Sequence, residues 1–225
     1  MIQALRQPIA FNEFIEWLPE VSECRYELHR GAIVEMPKPR GKHSLVTGDL
    51  VFGLGNAIRR ANLPYTIPKE CIVRSLDGES GYEPDAIALD KAALQNEPLW
   101  ESGSILTLGE SIKLIVEVVS TNWRDDYFTK FGEYEALGIQ EYWIVDYAAL
   151  GGRRFIGNPK QPTFTVCNLV EGEYSVQRFQ RGDNILSPTF PELDLRLIKF
   201  LQQELIRATK FSSNPAQIQA TPLHR

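Results

Sequence analysis

Two carboxylates in this sequence sit where carboxylates are costly. Asp85 follows Pro84 inside the run YEPDAIAL (82–89), and Glu117 interrupts the apolar run IKLIVEVV (112–119). An unpaired buried carboxylate costs several kcal/mol even after relaxation, so an acid kept in such a run generally has a cation beside it. Two acids on neighbouring strands can share one, and a hard, oxygen-seeking ion such as Mg²⁺ suits them. Strand side chains alternate, so Glu117 and Val119 point the same way, ~6.6 Å apart, and the Val118 carbonyl is a candidate third oxygen.

A lysine completes the set. Asp126, Lys130 and Tyr134 are spaced i, i+4, i+8 and share one face of a helix. The long stem of Lys130 can carry its ammonium to the strand end where Glu117 lies. There it can orient an attacking water or stabilise charge on a pentacovalent phosphate. Asp126, one turn earlier, can hold Lys130 in place. Ordinary readings stand beside these. Asp126–Lys130 can be a surface pair worth ~0.3–0.5 kcal/mol, and Asp85 can serve turn hydrogen bonds at a strand end. Glu117 is the hardest to explain that way.

His43 and Glu27 are supporting candidates. His43 opens a helix, where it can contact a phosphate or approach the metal, or be a plain surface histidine. Glu27, between Tyr26 and Leu28, is either a third metal-side carboxylate or, more simply, an exposed strand position. Tyr142 and Trp143 read as core, as do Trp123 and Phe128 by default, although the latter two also suit a partner surface.

These residues need elements to position them. A short helix is expected over 12–18 with Asn12 as N-cap, then a hairpin over 25–36 turning at Arg30-Gly31. Residues 42–62 have helical spacing ended by Pro64, and Gly48, Gly53 and Gly55 there suggest close packing on a sheet. Strands are expected over 65–74, 82–89 and 112–119, the last covered on both faces. A loop with a short helical piece fills 90–111. A helix over 122–137 is capped by Thr121 or Asn122 and closed by Gly138. A core strand follows over 140–146, giving a mixed sheet with a right-handed crossover. Antiparallel strands over 153–157, 163–170 and 173–179, an amphipathic helix over 195–210 and a disordered tail over 211–225 complete the reading. One domain over 1–210 is expected, with its core at about 25–146 and the extension and final helix at 150–210.

Composition sets limits. The chain has 225 residues, 43% hydrophobic and 24% charged, enough apolar material for a sizeable core. Its net charge of −5 is wrong for a simple electrostatic nucleic-acid binder, so any such contact needs a local patch. One candidate is 36–60, with Lys38, Arg40, Lys42, Arg59 and Arg60 against Asp49 alone. Three widely spaced cysteines, Cys24, Cys71 and Cys167, fit neither a disulfide framework nor a zinc site and read as buried thiols. The absence of a signal-like or ~20-residue apolar stretch points to a soluble, cytoplasmic protein without membrane contact.

The motifs together resemble a known group. Pro84-Asp85, then Glu117-Val118-Val119-Ser120, then Asp126, Lys130 and Tyr134, and the strand from Gly138 to Asp146 resemble the PD-(D/E)xK nuclease superfamily. Within it, the chain is similar to the Uma family of restriction-endonuclease-like proteins, as are the hairpin from Tyr26 to Gly31, Met36-Pro37 and His43, over about residues 10–195. The resemblance implies an α/β (α+β) fold, a restriction-endonuclease-like central mixed sheet flanked by helices with an antiparallel C-terminal extension. It also implies Mg²⁺ or Mn²⁺ bound by Asp85 and Glu117, and DNA phosphodiester hydrolysis with Lys130 as the catalytic lysine. The superfamily's usual lysine two residues after the acid is Val119 here, and the resemblance implies that Lys130 from the following helix supplies it. A homodimer is expected of a two-strand cutter. The competing reading is a catalytically inactive nucleic-acid-binding or regulatory protein on the same fold.

Overall fold

A computed structural model describes residues 7–19 and 24–193; the helix expected over 195–210 and the tail over 211–225 lie outside the described residues. The pattern of apolar residues builds two mixed sheets. The larger takes its shape from two strands buried on both faces, β8 (Ile112–Val118) and β9 (Glu141–Asp146). They run parallel, with Val116 opposite Trp143 and Val118 opposite Val145. Parallel neighbours need a crossover, and here it holds a π-helical turn (Asp125–Thr129) running into α4 (Lys130–Ala136).

On the other side of β8 lies antiparallel β6 (Ala86–Asp90), with Ala86 opposite Val116, and then β3 (Tyr65–Thr66). Beyond β9 the hairpin β10 (Thr163–Val170) and β11 (Glu173–Phe179) continues the same sheet, giving the order β11-β10-β9-β8-β6-β3. The antiparallel extension is thus an edge of the central sheet. Its turn uses Glu171 at φ 52° and Gly172 at φ 89°, the conformation that two-residue hairpins favour.

The second sheet has the order β2-β1-β5-β4-β7. Hairpin β1 (Arg25–His29) and β2 (Ala32–Met36) turns at Arg30-Gly31 as expected. β4 (Ile72–Arg74), β5 (Gly81–Tyr82) and β7 (Ile105–Leu106) complete it, and α1 (Phe11–Trp17) covers it with Phe11 and Phe14.

Each face of the larger sheet has its own core. Leu114, Val116 and Val118 pack with Val46, Leu50, Leu54 and Ala57 of α2 (Gly41–Arg60). Ile115 and Val119 pack on the opposite face with Tyr134, Tyr142 and Ile144. Each such buried aliphatic or aromatic side chain is worth ~1.5–3 kcal/mol. Alternation therefore aims Glu117 at the α4 face.

Several expectations need correction. The expected strands over 65–74 and 82–89 are each split between the two sheets, as β3 with β4 and as β5 with β6. The segment 153–157 is a helical turn, α5 (Arg153–Ile156), started at Gly152 and ended by Gly157 at φ 89°. The loop expected over 90–111 holds the expected short helical piece, α3 (Trp100–Gly103), and also a strand, β7. Ala10, not Asn12, is the N-cap of α1, its N–H donating to the Glu13 carboxylate at 2.7 Å. The helical segment after β8 has no side-chain cap from Thr121 or Asn122, whereas Gly138, at φ 80°, does close α4. Gly48 and Gly55 do not mark close packing, since a Cβ at either would meet nothing within 4 Å. Cys71 and Cys167 are buried thiols, but Cys24 is half-buried.

Candidate acid–lysine centre at the seam of the two sheets

The chain passes from one sheet to the other between β5 and β6, and Pro84-Asp85 is the step. A proline there withholds an N–H from either ladder, which suits a residue between two sheets. The β6–β8 register places Asp85 beside Glu117, and the Val118 N–H donates to Asp85 Oδ2 at 2.8 Å. His43, in the first turn of α2, reaches in from the opposite side. Its Nε2 lies 2.9 Å from the Val118 carbonyl oxygen and 3.2 Å from Asp85 Oδ2. Burial opposes protonation of His43, but Asp85 and the Val118 carbonyl outweigh it and raise its pKa above 6.5.

Lys130 is the hub of the rest. Its Nζ donates to Glu117 Oε1 at 3.0 Å and to Glu27 Oε1 at 3.1 Å, and it lies 5.1 Å from the Tyr82 ring centroid. Tyr134, one turn further along α4, donates its hydroxyl to the same Glu117 oxygen at 3.0 Å. The reading of Asp126–Lys130 as a surface pair fails, because Asp126 and Lys130 are only 8% and 4% exposed. The reading of Glu27 as an exposed strand position fails as well, because it is 1% exposed. Glu27 is fixed by the Glu83 N–H at 3.1 Å and by His29 Nε2 at 2.7 Å.

The charges in this seam do not balance. Glu27, Asp85, Glu117 and Asp126 face Lys130, with His29 and His43 at the margins. Lys130 is held firmly charged, since Glu117 and Glu27 overcome the effect of its burial. Burial likewise works against Glu27 ionising, but Lys130 and His29 bring its pKa down to about 2. Glu117 is pushed up to about 8, chiefly by burial and further by Asp85, Asp126 and Glu27, with Lys130 only partly compensating. Burial, opposed by Lys130 and reinforced by Asp85 and Asp125, raises Asp126 to about 7. A cluster that binds protons this tightly has room for more positive charge.

The donor chemistry fits a hard cation. Asp85, Glu117 and the Val118 carbonyl are all oxygen donors on adjacent strand positions. Among the described residues no group of three His, Cys, Asp or Glu side chains is arranged to hold a metal. Two carboxylates are nonetheless the usual protein share for Mg²⁺, which keeps several of its waters.

All seven residues singled out in the sequence thus meet at one seam. Asp126 joins them through charge, without a side-chain hydrogen bond of its own among those described. His29 and the Arg25–Glu83 pair, 3.4 Å apart, were not anticipated. Alternation along β1 puts His29 on the face of Glu27, a signal that the sequence does contain.

Among solved structures, the chain is similar to a protein from Anabaena variabilis ATCC 29413 described as "a putative nuclease belonging to DUF820". The TM-score is 0.63 at 21% identity, covering 86% of this chain and 99% of that one, a likeness of fold. No curated protein matches. The profile of the Uma2 family, described as "putative restriction endonuclease", matches residues 11–198, and the chain belongs to that family. Among the described residues no helix is long and apolar enough to cross a membrane.

Proposed function

We propose that this chain is a metal-dependent endonuclease that hydrolyses phosphodiester bonds in DNA. The observation that carries the reading is the buried contact of Lys130 with Glu117, one strand away from Asp85, in a seam with more acids than bases. Asp85 and Glu117, with the Val118 carbonyl, would hold Mg²⁺ or Mn²⁺. When bound, such an ion supplies Lewis acidity toward a phosphoryl oxygen and lowers the pKa of water.

The remaining chemistry belongs to the chain. Lys130 supplies an ammonium at the carboxylate pair, able to orient a water or to neutralise charge building on the phosphate. Tyr134 and Glu27 hold Glu117 and Lys130 so that neither needs to reorganise during reaction. His43, bonded to the Val118 carbonyl and Asp85, fixes the strand end where substrate would arrive. Many enzymes that cut both strands of a duplex pair two copies, and a homodimer is part of this proposal.

Plasmid DNA incubated with Mg²⁺ or Mn²⁺ should be cut by wild type and spared by Asp85→Ala and Lys130→Ala. Equal cutting by all three would sink the assignment. DNA binding without cutting would favour a non-catalytic nucleic-acid-binding role.

A further inference from the structure

The loops that follow β8 and β9 leave the sheet together. The two strands are adjacent and parallel, so their C-terminal ends open on one edge, the edge at which Glu117 lies. Open α/β sheets characteristically take ligands at such strand ends. Here the two loops meet in a cluster of aromatic rings and arginines.

Trp123 and Arg124 precede the π turn, with the Arg124 guanidinium 4.6 Å from the Trp123 ring. Phe128 points outward from that turn and is 44% exposed, while Asp126 on the same turn points inward. From the other loop comes Phe155, whose ring centroid lies 5.2 Å from that of Phe128. Arg154 covers both rings, at 4.4 Å from Phe128 and 4.5 Å from Phe155, and Arg153 is exposed beside it. The second loop is built rather than loose. Asp146, at the end of β9, accepts the Leu150 N–H at 2.9 Å and the Gly151 N–H at 2.7 Å.

Its charge is unusual for this chain. Residues 147–162 contain Arg153, Arg154 and Lys160 and no acid, in a protein of net charge −5. Among the described residues, none of Arg124, Arg153 and Arg154 forms an ion pair, although the chain has an excess of acids. Guanidinium groups left without carboxylates and held close to aromatic rings suit phosphates and bases. The fork binds phosphate, while the exposed part of the Phe128 ring accepts a base.

We infer that this patch, formed by Trp123, Arg124, Phe128, Arg153, Arg154 and Phe155, binds an unpaired stretch of the nucleic-acid strand that enters or leaves the acid–lysine centre. Stacking requires a base free of its partner, which favours single-stranded over duplex occupancy. The inference rests on the endonuclease reading for the direction of the strand, but its test is binding rather than cutting.

The test is anisotropy of a fluorescein-labelled 20-nucleotide oligothymidine, against a 20-base-pair duplex, with the full chain in EDTA. Wild type should prefer the single strand. Arg153→Gln/Arg154→Gln should weaken that binding at least tenfold and lower the slope of log affinity against log salt by about 1.4, for two phosphates at ~0.7 each. Phe128→Ser should weaken it about five- to a hundredfold with the salt slope unchanged. Melting temperatures identify any variant that fails to fold, and the arginine pair, being exposed, keeps the test open if Phe128→Ser does fail. No wild-type binding, duplex preferred, or variants that bind as wild type would each overturn the patch. Patch-dependent binding in a protein that never cuts plasmid would leave the patch standing and remove the nuclease reading alone.

Discussion

Replacing Lys130 with methionine removes the ammonium that Glu27 and Glu117 share and leaves an aliphatic stem of similar length in its place. Two charge-assisted hydrogen bonds are lost, at 3.0 and 3.1 Å. Bonds to charged groups are worth ~1.5–3 kcal/mol each, so the gross loss is about 3–6 kcal/mol. Two features of the seam reduce it. Glu117 already holds its proton up to about pH 8 with Lys130 present, and without the cation it is neutral at pH 7. Glu27 keeps His29 and the Glu83 N–H as partners. The expected net cost is about 3 kcal/mol, the lower end of what breaking a buried ion pair costs. For a domain of this size that is ~6–12 °C in melting temperature. Urea unfolding at pH 7 in EDTA measures it. The double variant Lys130→Met/Glu27→Gln should be at least ~1 kcal/mol more stable than the sum of the single effects, because Glu27 is the acid that Lys130 holds ionised and the glutamine has no charge to leave unpaired. A Lys130→Met cost below 1 kcal/mol, or strictly additive variants, would refute the picture of Lys130 as a buried counter-ion.

Stability should also depend on pH in a definite direction. A folded-state pKa raised from 4.5 to about 8 at Glu117 means the folded protein binds that proton more tightly, so metal-free stability falls as pH rises through that window. Asp126 and His43, both raised, act in the same sense. Thermal melts in EDTA should show the decline, and Glu117→Gln should flatten it; an unchanged pH profile in the variant would contradict the assignment. Gly48→Ala and Gly55→Ala should each stabilise the protein by about 0.5–1 kcal/mol, because the added methyl meets open space and improves helix propensity, as urea midpoints would show. Gly109→Ala should cost upward of ~2 kcal/mol by the same measurement, since its Cβ would run into the Leu137 carbonyl oxygen at the end of α4.

The sequence was most informative where a residue type clashed with its surroundings. Glu117 stood out because an acid was flanked by Leu114, Ile115, Val116, Val118 and Val119, and the structure buries it at 4% exposure. The fully buried strands β8 and β9 and the two positive-φ hairpins were legible for similar reasons. What was not legible is which sheet a strand joins. Residues 82–89 read as one strand, yet Tyr82 pairs with Val73 in one sheet and Ala86 with Val116 in the other. Periodicity reports a face, not a partner, and Pro84 marks a break without saying which sheet each half joins. Glu27 was misjudged by the same limit. Its alternation with Tyr26 and Leu28 fits either an exposed or a buried acid, and only Lys130, 103 residues away, decides the case. The segment 153–157 reads as a strand because Phe155 and Ile156 are strand-like residues, whereas Gly152 and Gly157 bound a helical turn of only four residues, too short for any period to show.

The π-helical turn has a consequence for how the chain tolerates changes in length. The Lys130 N–H donates to the Asp125 carbonyl, five residues back instead of four, so the turn carries one residue more than an α-helix would. Deleting Thr129 would restore α-helical spacing at the cost of the buried packing of Tyr127. It would also swing everything upstream by ~100° about the helix axis, one residue's share of a 3.6-residue turn. Asp126 would leave the seam and Phe128 would turn away from Phe155, while Lys130 and Tyr134 stayed on Glu117. The surplus residue therefore sets the angular phase between the inner and outer halves of this helix. A deletion there should leave a less stable protein whose halves no longer address the same edge of the sheet.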